Sequence, residues 1–183
     1  AQDYPVRPVK IVVAYAAGQG TDVATRFLAE QLTRATGQTF FVENKAGAGG
    51  NIGTADAARS APDGYTLTMG TNATHALNQF LFDSTGFDAE RDFEPVVLVS
   101  SFPMVMVTGS QTTFQNIDDV LAAARRDPKS ADIALPSTTA RLVYELLKDS
   151  SKVELFGVPY KGSAAATTDV IGGQVPLSID TIS

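Results

Sequence analysis

The chain has 183 residues, 44% of them hydrophobic and 19% charged, with a formal net charge of −6, one histidine and no cysteine. That composition suits a globular protein with one sizeable core or two small lobes, and it leaves too few soft ligands for a structural zinc site. No basic stripe or block of like charges suits nucleic acid, and no apolar run approaches the roughly 20 residues of a membrane-spanning helix.

The start, AQDYPVRP, has no Met, no charged leader and no apolar core of a leader. It reads as a mature terminus left after a signal peptide was removed, or as a trimmed start. Residues 10–15 (KIVVAY) form a β-branched run without polar alternation, as expected of a parallel strand covered on both faces. After the loop AAGQGTD, the residues Val23, Phe27, Leu28, Leu32 and Ala35 share one helical face, with Asp22 in the first turn and Gly37 at the stop. Residues 38–43 read as a second strand, 44–53 as a Gly-rich loop, 54–60 as a short helix and 65–69 as a third strand after the Pro62-Asp63-Gly64 turn. Asn72 and Thr74 precede a helix-like run over 76–82.

Residues 95–107 (PVVLVSSFPMVMV) look like two strands passing from one lobe to another. The pattern then restarts: a helix over 117–126 with Asn116 or Thr113 near its start, a strand over 131–135, a polar loop over 137–139 and a helix containing 142–147. A strand over 153–158, a loop over 159–163, a helix over 164–171 stopped by Gly172-Gly173, and a last strand over 175–179 complete it. Both halves share the order strand, polar loop, helix, strand. That alternation predicts an α/β protein with parallel-rich sheets flanked by helices, in two lobes spanning 1–100 and 101–183. The strand directly before the Ser183 end, with no helix after it, reads as a chain truncated at its C-terminus, with lobe one incomplete without a C-terminal return and lobe two incomplete as well.

The loop over Ala17, Gly18, Gly20, Thr21 and Asp22 opens a helix, whose first N–H groups attract an anion. A phosphate loop would end in Gly-Lys-Ser/Thr, which is absent. A dinucleotide fingerprint would place a third glycine at Val23, although Glu43 sits where a ribose-binding acid would be. No Lys or Arg lies in the loop to offset a dianion, whereas a carboxylate can be held by N–H and hydroxyl donors, with Thr21, Thr71, Thr74 and the Asn72 amide as candidates. His75 reads as a polar residue at a helix start, Asp118-Asp119 as a structural first-turn pair, and Lys161 as a solvated turn lysine. Arg141 near a helix start runs against the helix dipole, and could pair bidentately with a second acidic group.

The segments YPVRPVKIVVAYAAGQGTD, FFVENKAGAGGNIGTADAARSAPDGYTLTMGTN, DFEPVVLV and VPYKGSAAATTDVIGGQVPLSID span nearly the whole chain. In this order they resemble the substrate-binding proteins of tripartite tricarboxylate transporters, the Bug family. The resemblance implies a type II periplasmic-binding-protein fold, extracytoplasmic and non-catalytic. It implies no cofactor and no metal. Such a receptor captures a small organic carboxylate between two lobes and delivers it to integral-membrane transporter subunits. By position, lobe-one contacts would come from Gly18, Gly20, Thr21, Asp22, Asn72 and Thr74, and lobe-two contacts from Ser137, Thr138, Thr139, Lys161, Gly162, Ser163 and Asp180. Gln19 stands where members often have glycine, and LPSTTARL is shorter than the usual loop, with Arg141 where histidine is common. A nucleotide- or dinucleotide-binding α/β enzyme and a ligand-binding sensor are the alternative readings.

Overall fold

This computed structural model describes residues 4–181. Residues 1–3, part of the start read above as a processed terminus, and residues 182–183 lie outside them. Two compact units divide between Val99 and Ser100.

The first unit runs β1 (Val9–Val13), α1 (Gly20–Thr36), β2 (Phe40–Asn44), α2 (Asn51–Ala58), β3 (Thr66–Thr68), a π-helical turn (Ala73–Leu77) and α3 (Asn78–Leu81). Its sheet has the order β2-β1-β3, all parallel. Central β1 is the β-branched run, with Val9, Ile11, Val12 and Val13 all buried. The step from β1 to β2 and the step from β2 across to β3 run in opposite directions. Right-handed crossovers therefore put α1 and α2 on opposite faces of the sheet. On the α1 side, Val9, Ile11 and Phe40 close on Ala29. On the α2 side the helix comes very near the strand end. A Cβ on Gly53 would lie 2.6 Å from the Lys45 carbonyl oxygen and 2.9 Å from Ala14 Cα, so only glycine allows this approach.

The second unit runs β4 (Met104–Thr108), α4 (Ile117–Arg126), β5 (Ile133–Leu135), α5 (Thr138–Ser151), β6 (Gly157–Pro159), α6 (Ser163–Ile171) and β7 (Leu177–Thr181). The sheet order is β4-β7-β5-β6, with β4 antiparallel to β7 and the other pairs parallel. Its parallel part, β6-β5-β7, repeats the order of the first unit: the first strand is central, the second and third flank it. The core gathers Val120, Ile133, Leu135, Tyr144, Leu155, Leu177 and Ile179. Tyr144 is admitted because its hydroxyl donates to the Leu155 carbonyl at 2.7 Å. Asn116 caps α4 by accepting the Asp119 N–H at 3.0 Å, and Asp119 in turn accepts the Gln115 N–H at 2.8 Å.

Several elements differ from their sequence-based expectations. Residues 95–99 form no strand, and Val96, Val97 and Leu98 are exposed. The strand expected over 153–158 is only Gly157–Pro159, and that over 131–135 only Ile133–Leu135 after a 3₁₀ turn at Pro128–Ala131. The helix expected from Thr54 starts at Asn51. The run over 76–82 begins earlier, in the π turn. On α1 the buried residues are Asp22, Thr25 and Ala29, while Val23 and Phe27 are 53% and 66% exposed. Thr25 tolerates burial because its hydroxyl donates to the Thr21 carbonyl at 2.6 Å, so Asp22 and Thr25 meet the sheet in the first turns of α1, and Ala29 and Leu32 farther along.

Candidate functional site

In a sheet ordered second-first-third, adjacent loops leave in opposite directions at the carboxyl ends of the first and third strands, and ligands bind in the crevice there. In the first unit that point lies between β1 and β3, which brings the loop before α1 and the loop over residues 69–72 together. Tyr15, just after β1, and Thr71 meet there through their hydroxyls at 2.7 Å.

The loop before α1 is held by Asp22. Its carboxylate accepts the Gly18 N–H at 2.8 Å, Arg26 Nε–H at 3.0 Å and the Asn44 amide at 2.8 Å. Asn44 also donates to the Tyr15 carbonyl at 3.0 Å, and its own oxygen accepts from Arg26 at 2.8 Å. Burial pushes the Asp22 carboxyl upward, but the bonds from Arg26, Gly18 and Asn44 outweigh it and hold the group below its ordinary value. The Asp22 side chain, 2% exposed, is thus an internal clamp. What Asp22 leaves for a ligand is its backbone N–H.

The first intrahelical bond of α1 runs from the Val23 N–H to the Gln19 carbonyl at 3.0 Å. The N–H groups of Gly20, Thr21 and Asp22 therefore precede the helical ladder, at the positive end of a 17-residue helix. Ala17 and Gly18 are exposed, and Thr21 is half-buried in the first turn. On the neighbouring loop Asn72 is exposed, Thr71 half-buried and Thr74 buried. Thr74 Oγ1 accepts the Thr71 N–H at 3.1 Å and lies 3.3 Å from Thr71 Oγ1 and 2.8 Å from His75 Nδ1. Burial raises the Tyr15 phenol, partly offset by its Thr71 hydrogen bond.

In the second unit the corresponding point lies between β5 and β7. Ser137 caps α5 there, its oxygen accepting the Ala140 N–H at 3.1 Å while its proton stays available, and Thr138 and Thr139 form the first turn. Asp180 lies at the carboxyl end of β7, where it accepts the Thr181 N–H at 2.8 Å. Lys161, Gly162 and Ser163 follow β6, one strand farther along the same edge, with Gly162 at φ 152° and Ser163 opening α6. Tyr160 steadies that loop by donating to Asp169 Oδ2 at 2.6 Å, and this bond pushes its phenol up to about 12. Arg141 is exposed on α5, and among the described residues neither it nor Lys161 makes an ion pair.

Each unit thus presents a helix N-terminus with hydroxyl side chains at one end of its sheet. Residues 24–183 match the family described as the tripartite tricarboxylate transporter family receptor. The chain belongs to that family. Protein BugT of Bordetella pertussis is 36% identical over 185 residues, covering 100% of this chain and 57% of that protein. The chain therefore spans little more than half the length of this relative. Among solved structures, Rpa4515 of R. palustris with adipate is 34% identical with a TM-score of 0.93, covering 98% of this chain and 60% of that one. The periplasmic binding protein BugD is 35% identical with a TM-score of 0.85, covering 97% and 60%. The two α/β units are thus those of a periplasmic-binding-protein fold.

Tyr15, Asn44, His75 and Tyr160 were not singled out by sequence as site-building residues. Tyr15 and His75 directly adjoin the candidate loops, at Ala16 and Thr74, which is the one signal in the sequence that points to them.

Proposed function

We propose that the protein is a non-catalytic, periplasmic solute-binding receptor that takes up a small organic carboxylate and hands it to the membrane subunits of a tripartite tricarboxylate-type transporter. The observation that carries this reading is the loop before α1: unladdered N–H groups and the Thr21 hydroxyl at a helix N-terminus, with no cation in the loop and its own carboxylate, Asp22, already neutralised from within. Such a site suits a single negative charge. Each neutral donor to a carboxylate contributes about 1.5–3 kcal/mol, so several must converge. The neighbouring Thr71, Asn72 and Thr74 extend the donor set. In the second unit, Ser137, Thr138, Thr139, Lys161, Gly162, Ser163 and Asp180 are the proposed contacts. The adipate bound to Rpa4515 supports a carboxylate as the ligand class. Exposed Arg141 would serve a second acidic group.

The test is a thermal-shift screen of the protein at its natural length, with mono-, di- and aromatic carboxylates against NAD and ATP. A saturating carboxylate at 100 times Kd adds about 2.7 kcal/mol of stability. Stabilisation by NAD or ATP, with none by any carboxylate, would overturn the proposal.

A further inference from the structure

Resting on the carboxylate reading, we infer that His75 is a positioning residue. Through Thr74 it sets the direction of the hydroxyl chain Thr74–Thr71–Tyr15, and with it the number of donors that the first unit turns toward a ligand.

The chain is continuous: His75 Nδ1 to Thr74 Oγ1 at 2.8 Å, Thr74 Oγ1 to Thr71 Oγ1 at 3.3 Å, Thr71 Oγ1 to Tyr15 OH at 2.7 Å. Each hydroxyl owns one proton, so the chain can point only one way at a time. With Nδ1 bare, Thr74 donates to it. Thr74 Oγ1 then accepts from the Thr71 N–H and the Thr71 hydroxyl, and Thr71 accepts from Tyr15. Every proton is drawn inward. With a proton on Nδ1, Thr74 accepts instead and turns its own proton to the Thr71 carbonyl, 3.3 Å away, or to Thr71 Oγ1. Across their 2.7 Å contact Thr71 and Tyr15 still share one proton, so one of the two hydroxyls is then released to donate outward.

The surroundings of the ring favour the neutral imidazole at neutral pH, which gives the inward state when Nδ1 is the bare nitrogen. His75 stands edge-on to Phe93, 4.8 Å between ring centres, and 6.2 Å from Phe87. Burial lowers the pKa of the imidazole below its ordinary value. The charged groups on the cavity that His75 lines are Asp88 and Glu90. The Asp88 carboxylate is already engaged by the N–H groups of Glu90 and Arg91 and by the Arg91 side chain. Tyr15 is the other titratable group in the chain, and its raised pKa keeps it protonated. The turn that carries Thr74 and His75 is a π-helical one, a distortion concentrated at functional sites.

Carboxylate affinity should therefore strengthen as pH falls through the depressed His75 pKa. One released donor to a carboxylate corresponds to about a ten- to hundredfold change in Kd. The probe is adipate, titrated calorimetrically into the natural-length protein from pH 8 down to 5.5, in the parent, His75→Phe and Thr74→Val. The His75→Phe series corrects for titration of adipate itself. The expected result is a corrected tightening of about ten- to hundredfold in the parent that Thr74→Val abolishes although it keeps the imidazole. Tightening that survives in Thr74→Val would mean that the charge acts through space, and equal pH profiles in all three would mean no role at all. Either overturns the relay. Because His75 is the one histidine of the chain, ¹⁵N spectra report its tautomer without assignment. The relay requires a bare Nδ1 at pH 8, and a proton found there refutes it whatever adipate does. Adipate that fails to bind the parent at every pH counts against the receptor reading, and the spectra still judge the relay.

Discussion

Replacing Asp22 by Asn tests how the loop before α1 is held. The substitution keeps size and one acceptor oxygen but removes the charge and puts an amide nitrogen where an oxygen stands. One carboxylate oxygen accepts from both Gly18 and Arg26, and the other faces the Asn44 amide at 2.8 Å. In the variant the acceptor oxygen serves Gly18 and Arg26 without charge, a loss of about 1 kcal/mol for each bond. The new NH₂ then meets the NH₂ of Asn44, donor against donor, at a further cost of about 1–2 kcal/mol. Asn44 cannot flip to relieve this, since its nitrogen also serves the Tyr15 carbonyl and its oxygen serves Arg26. The sum is about 3–4 kcal/mol, a large part of the roughly 5–15 kcal/mol that holds an ordinary domain. In urea, with a slope of about 1–3 kcal/mol/M, the midpoint of the first unit should fall by at least about 1 M. The sign with pH follows from the depressed folded pKa. The carboxylate's contribution is complete above the unfolded value near 3.9 and is lost as pH falls through the lower folded value. The gap between parent and Asp22→Asn should therefore narrow from pH 5 to pH 2. Equal midpoints at pH 7, or a gap that widens in acid, would refute the clamp.

Gly53→Ala should lower the melting temperature: a Cβ 2.6 Å from the Lys45 carbonyl costs about 1–3 kcal/mol, more than the roughly 1 kcal/mol of helix propensity it gains, and a raised Tm would contradict this packing. Ser137→Ala removes the α5 cap and should cost about 1 kcal/mol in the second unit, with Ser137→Gly costing less, as read by urea titration. Tyr144→Phe leaves the buried Leu155 carbonyl without its donor and should cost about 1–3 kcal/mol in the same assay. Gly20→Val should abolish calorimetric binding of carboxylates to the natural-length protein by blocking approach to the backbone, and Thr21→Val should weaken it with the fold intact.

The strands and helices that alternate strongly were legible in sequence: β1 as an uninterrupted β-branched run, α1 ending at Gly37 in the left-handed conformation, α4 with its Asn116 cap. Legibility failed where a partner decides. Val96, Val97 and Leu98 carry strand propensity, yet no strand of the described residues pairs with them. Val153 and Leu155 are buried as expected, but as side chains of a loop and not as a ladder. On α1 the expected face holds at Leu32 but fails at Val23 and Phe27, because Thr25 and Asp22 take the buried positions there with their polar atoms satisfied internally, a fact of three dimensions and not of hydrophobic period. Among candidate site residues, the sequence pointed to the loops through their glycines and hydroxyls. It could not show that Asp22 faces inward, since that depends on Arg26 of the same helix and on Asn44 at the end of β2.

One feature of the second sheet bears on how the protein is made. Strands β1 to β3 emerge from the ribosome in succession, so these three can pair as they are made. In the second sheet β7 sits between β4 and β5, bonded to both, though it is the final strand of the described residues. Met104 must wait for Thr181 before it finds its partner. Until then β4 and β5 are separate pieces with unmade edges, and closing them demands contacts distant in sequence, which form slowly. The nascent second unit is therefore the natural client for a holdase during synthesis, and substitutions in β7 should lower yield more than their effect on final stability would suggest.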